Sequence, residues 1–63
     1  MQYKIIENSS LDTLTGVVND YLKAGWLPIG GVTVVHHEWA NERKGYTEDE
    51  FVYYQSVIKY GEN

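Results

Sequence analysis

One segment of this chain carries a helical period, and its neighbours do not. Leu11, Leu14, Val17, Val18, Tyr21 and Leu22 recur at steps of three and one, the 3.6-residue repeat of an amphipathic helix. Ser9 or Ser10 precedes it and can accept hydrogen bonds from the first free N–H groups, while Asp12 suits the positive end of the helix dipole. Ala24-Gly25-Trp26 supplies the stop, because Gly25 can take the left-handed conformation that ends a helix. Trp26 is expected to fold back onto the last apolar turn, and Pro28 prevents the helix from resuming. Gly16 lies inside the helix at a cost of roughly 1 kcal/mol relative to alanine, which suggests a close approach to a sheet.

Everything else reads as strand or turn. Residues 3–7 are aromatic and β-branched and run into Asn8-Ser9-Ser10. Residues 32–39 form a second strand, entered through Gly30-Gly31, and residues 51–60 a third. Between them, residues 40–49 are polar and charged and read as a loop with Lys44-Gly45 at its turn. Two strands so joined pair as an antiparallel hairpin. A helix of about 15 residues spans roughly 22 Å, close to strands of about seven residues. The fold class is therefore α+β, a single domain over residues 1–63 in the order β-α-β-β. One helix packs on one face of a three-stranded, mainly antiparallel sheet. The first strand is placed beside the last; a parallel pairing with the second, through a right-handed crossover, is the alternative.

That plan leaves a face uncovered. The last strand puts Phe51, Tyr53 and Val57 on one side, and Val52, Tyr54, Ile58 and Tyr60 on the other. A solvated face normally alternates apolar with polar residues. Val52, Tyr54, Ile58 and Tyr60 are thus the candidate interface, and a second copy of the chain is its simplest cover. Size points the same way. A domain this short buries only about 60% of its unfolded surface and needs a staple, yet the sequence holds no cysteine. A homo-oligomer, dimer or higher, is expected.

Composition narrows the function classes. A formal net charge of −4 opposes attraction to phosphate backbones and anionic lipid, so neither nucleic acid nor membrane is an expected partner. No apolar run approaches the roughly 20 residues of a membrane span, and the first residues lack signal-peptide character. The expected location is cytoplasmic.

The chemistry-bearing residues have simpler explanations. Neighbouring residues of a strand point to opposite faces, so His36 and His37 cannot chelate one ion together. His36 and Glu38 share a face and offer two ligands, with any others left to a partner subunit; no metal site and no cofactor are expected. Ser9 and Ser10 read as helix caps, Ser56 is mid-strand, and no nucleophile elbow is present. Glu42, Glu48, Asp49 and Glu50 read as a solvated rim, not as an acid–base pair in a cleft. No catalytic residue is assigned, and an enzyme is not expected. Gly30-Gly31 precedes a strand, the reverse of a phosphate-binding loop, which opens a helix. Its simpler role is a tight or bulged strand entry, where Trp26 packs on bare backbone. A weaker ligand-binding reading uses Trp26, Trp39, Gly30 and Gly31. Lys44-Gly45-Tyr46 and Phe51-Val52-Tyr53 stand at the wrong spacing for an RNA-recognition strand, with three acids between them.

The opening Tyr3-Lys4-Ile5-Ile6, the helix end Gly25-Trp26-Leu27-Pro28-Ile29-Gly30-Gly31 and the closing Tyr53-Tyr54-Gln55 resemble a small bacterial and phage family. It is catalogued as domain of unknown function 1737. The resemblance covers nearly the whole chain, and its most specific part is the Gly-Trp-X-Pro-X-Gly-Gly segment. It implies a strand–helix–strand–strand fold and a phage or prophage setting, and it transfers no catalytic residues. The acidic stretch 41–50 departs from shorter members. Three functions follow as expectations. The first is a self-associating protein-interaction module acting as an accessory protein toward a host or phage partner. The second is a small-ligand binder, of nucleotide or sugar, with its site between subunits. The third and least favoured is a metal protein or enzyme using His36 and Glu38.

Overall fold

In the computed structural model, which describes residues 1–61, the chain runs β1 (Gln2–Asn8), α1 (Leu11–Lys23), β2 (Leu27–Asn41) and β3 (Tyr46–Lys59). The three strands form one sheet in the order β1-β3-β2, and both pairings are antiparallel. The last strand is central with the first beside it; β1 and β2 therefore run parallel on its two sides, and α1 is the crossover that joins them.

The helix begins and ends where its residues dictate. Asn8 Oδ1 accepts a hydrogen bond from the Ser10 N–H at 2.9 Å, and Ser10 Oγ accepts one from the Thr13 N–H at 3.3 Å. At the far end Trp26 N–H donates to the Tyr21 carbonyl and Gly25 N–H to that of Leu22, at 3.0 and 3.1 Å. With Gly25 at φ +97, this is a Schellman ending. Its apolar contact is also present, with the Trp26 ring edge-on to Tyr21 at 5.6 Å. Gly16 has a different role from the one its position suggests. A Cβ there would meet nothing within 4 Å, so no sheet approaches it closely.

The apolar stripe of α1 buries Leu14 against Ile6 and Val57, flanked by Val17, Val18, Tyr21, Trp26 and Tyr53. Every sheet residue in that cluster lies in the half of the sheet near the chain ends. Both hairpin strands are longer than the sequence suggests, at 15 and 14 residues, β2 nearly twice so, and they extend well past the helix. The stretch expected as a loop is mostly strand, with only residues 42–45 turning. Asn41 organises that turn: its carbonyl accepts from Gly45 N–H at 2.9 Å and its Oδ1 from Lys44 N–H at 3.1 Å. Gly45 takes φ +72 there. Glu48, Asp49 and Glu50 are accordingly strand residues, which corrects their reading as a loop rim.

β2 also starts earlier than expected and contains Pro28. It is an edge strand, where proline is tolerated. Its register with β3 slips between Ile29 and Thr33, a bulge in which Gly30 sits at φ +69. No side chain crowds Gly30 or Gly31, so the packing of Trp26 does not account for them; backbone conformation explains Gly30, and Gly31 has no structural explanation. The amide Nε2 of Gln55 donates to the carbonyls of Ile29 and Gly30 in the bulge, at 3.1 and 3.2 Å.

Candidate functional site: the open sheet face and the hairpin arm

Register assigns the faces. Tyr53 and Val57 meet the helix, so the alternate residues of β3 form the opposite face. Rows across the three strands then read Tyr3–Ile58–Leu27, Ile5–Ser56–Ile29 and Glu7–Tyr54–Thr33, followed by Val52–Val35 where β1 has ended. No element of the described residues covers these rows. Tyr3, Ile5, Leu27 and Ile29 are exposed large side chains, and Val35, Val52 and Tyr54 are half-buried. The Tyr3 hydroxyl donates to Ser56 Oγ at 2.8 Å across this face.

Two of the four candidate interface residues, Val52 and Tyr54, sit on this surface as the alternation predicts. Ile58 shares the face but is only 7% exposed, screened by the cross-strand neighbours Tyr3 and Leu27. It is a packing residue of the monomer more than an interface contact. Tyr60 lies beyond the end of β3 and is 65% exposed. The sequence reading missed Tyr3, Ile5, Leu27 and Ile29, which carry more of the open surface. The alternation of residues 3, 5 and 7 against 4 and 6 was the available signal.

The ligand set does not gather within one chain. Trp26 abuts Tyr21 at the helix end, whereas Trp39 pairs with Glu48 near the hairpin tip, with Gly30 and Gly31 at the bulge between them. Trp26 lines a shallow cleft of about 200 Å³ with Asp20, Tyr21 and Ala24. A larger depression, about 500 Å³, opens where β1 ends, and its lining includes Glu7, His37, Glu50 and Tyr54.

Beyond Tyr53, which pairs with Asn8, β2 and β3 continue as a two-stranded arm with both faces and both edges free of other described elements. A lone two-stranded ribbon is marginal in water. On its helix-side face the register sets Val34 opposite Tyr53, His36 opposite Phe51 and Glu38 opposite Asp49. His36 stacks on Phe51 with ring centres 4.5 Å apart, and its Nε2 lies 3.5 Å from Asp49 Oδ2. His37 pairs with Glu50 on the other face, so the two histidines diverge as their adjacency requires. One ligand atom from each of His36, Glu38 and Asp49 lies within 4.8 Å of the others. The third group comes from β3 of the same chain, where the sequence suggested a partner subunit.

No helix among the described residues is long and apolar enough to cross a membrane. No family model matches the chain, and comparisons with curated proteins and with solved structures found no significant match.

Proposed function

We propose that this chain is a self-associating protein-interaction module, and that a second copy covers its open sheet face and supports its arm. The observation that carries this reading is shape. The radius of gyration is 15.6 Å, against about 11 Å for a compact domain of this length. A chain so extended leaves Tyr3, Ile5, Leu27 and Ile29 in water on one continuous face, in the pattern expected of an interface. A second copy brings the same apolar rows, and a two-fold contact of this kind is self-complementary. In keeping with the family resemblance, we place the module in a phage or prophage setting as a cytoplasmic accessory protein. Its free strand edges would take an extended segment of a host or phage protein. We assign it no catalytic role: Glu48 and Asp49 lie along an exposed ribbon, and Glu50 lines an open depression and not an enclosed cleft.

Native mass spectrometry tests this directly. The expected spectrum is a dimer or higher oligomer, converted to monomer by Ile5→Lys. Ile5 is exposed and faces Ser56, so the substitution leaves the helix-side core intact. A monomer for the unsubstituted chain at micromolar concentration, or an oligomer indifferent to Ile5→Lys, would count against the proposal. A second reading, a nucleotide- or sugar-binding or sequestering protein with its site between subunits, draws on the 500 Å³ depression. A partner seated on the open face would roof it. Extra mass of a few hundred daltons lost on denaturation would favour that reading.

A further inference from the structure

We propose that His36, Glu38 and Asp49 form a binding site for a divalent transition-metal ion of the zinc class, built across the two strands of the arm. The donor set is one imidazole nitrogen and two carboxylates, a combination that suits such an ion. Three observations bear on it independently of residue type.

First, Glu38 and Asp49 are direct cross-strand partners. Like charges directly opposite each other destabilise a sheet, and an isolated arm has little stability to spare. Second, the two acids have no Lys or Arg partner among the described residues; the one basic side chain near them is the His36 imidazole, 3.5 Å from Asp49. A bound cation would neutralise the pair and cross-link β2 to β3 where neither helix nor β1 supports them. Third, the imidazole is already oriented. Stacking on Phe51, with planes 10° apart, limits the ring to positions in which Nε2 approaches the Asp49 carboxylate. The three ligand atoms lie within 4.8 Å of one another. Bonds to zinc of about 2.0–2.2 Å require closer approach than that limit, and exposed Glu and Asp rotamers can supply the movement. With three protein ligands, at least one coordination position stays open to water or to a ligand from outside the chain.

The site is separate from the apolar rows, because His36 and Val52 occupy opposite faces. Its ligands are therefore distinct from the surface of the self-association proposed above.

The test is calorimetric titration of the untagged chain with Zn²⁺ and, separately, with Co²⁺, at neutral pH. One ion per chain is expected. His36→Ala and Asp49→Asn should each weaken binding by at least about tenfold, the lower end of the loss seen when even outer-shell partners are removed. His37→Ala, on the opposite face, should leave it unchanged. Far-ultraviolet circular dichroism of each variant establishes that it remains folded. In the unsubstituted chain, Zn²⁺ should also shift the side-chain nitrogen resonances of His36 and leave those of His37 in place. Absence of saturable binding up to millimolar ion would overturn the proposal, as would binding that survives both His36→Ala and Asp49→Asn. Equal loss in His37→Ala would show non-specific histidine binding and would overturn it too. The Ile5→Lys variant should still bind one ion per chain, because all three ligands belong to a single chain, with an affinity lowered to the extent that its unsupported arm opens.

Discussion

Gln55 shows how one polar side chain can hold a local irregularity in place. It is 6% exposed, and its Nε2 donates to the carbonyls of Ile29, Gly30 and Ser56. Two of those carbonyls belong to the β2 bulge, where the register slip leaves backbone groups without ladder partners. It is the Gln55 amide that is buried; a buried donor must find acceptors, and the bulge carbonyls provide them. Gln55→Leu should therefore destabilise the fold by roughly 0.5–1.5 kcal/mol, the net worth of a typical intramolecular hydrogen bond, since the freed carbonyls can reach water. Chemical denaturation checks it; an unchanged midpoint would mean that water or backbone adjustment replaces the amide. Legibility at this scale was uneven. The helix cap, Gly25 and the Trp26 fold-back are local signals, and each appears as the sequence implies. The bulge expected at Gly30-Gly31 is present, but the close neighbours expected of Gly16 and of that pair are not, because the identity of a glycine does not distinguish a contact from a conformation. Asp49 was missed as a companion of His36 because its placement depends on a register set 13 residues away in the chain.

At the scale of elements, the strand ends were misread for a physical reason. Glu48-Asp49-Glu50 has low strand propensity, and so does Asn41. A strand propagates through its partner, however, and the run from Val32 to Trp39 needs something to pair with. β3 supplies it by extending through the acids, with Asn41 Nδ2 donating to Glu48 Oε2 at 2.8 Å near the turn. Strand order, antiparallel pairing and the division of β3 into two faces were legible, because period and alternation report them. The arm was not, because no local signal says where the helix stops covering the sheet. A ribbon with free edges and few buried contacts should open at low free energy. In monomeric Ile5→Lys, amides in residues 36–50 should exchange with deuterium well before those of Gln55 and Val57. Equal protection along β3 would show that the arm is stable without support.

The whole molecule measures 53 × 19 × 19 Å, and its buried apolar core consists of Ile6, Leu14, Val57 and Ile58. The exposed surface, 4794 Å², exceeds the roughly 4200 Å² expected of a folded monomer of this mass. Burial is thus lower and conformational order no cheaper than in an ordinary small domain, and without cysteine no disulfide restrains the unfolded chain. The arm adds about 18 ordered residues near its two strands and turn with almost no burial of its own, at a backbone entropy cost of roughly 1–2 kcal/mol per residue. Something outside the chain has to offset this, and an associating copy does so by mass action. Folding coupled to association makes stability depend on protein concentration. For a dimer that unfolds to separate chains, each tenfold dilution should lower the apparent stability by about 1.4 kcal/mol. Thermal melts across a hundredfold concentration range read this out, with the midpoint falling on dilution. A midpoint independent of concentration would mean that the extended monomer is stable alone, and the open face would then have to be explained by a different partner.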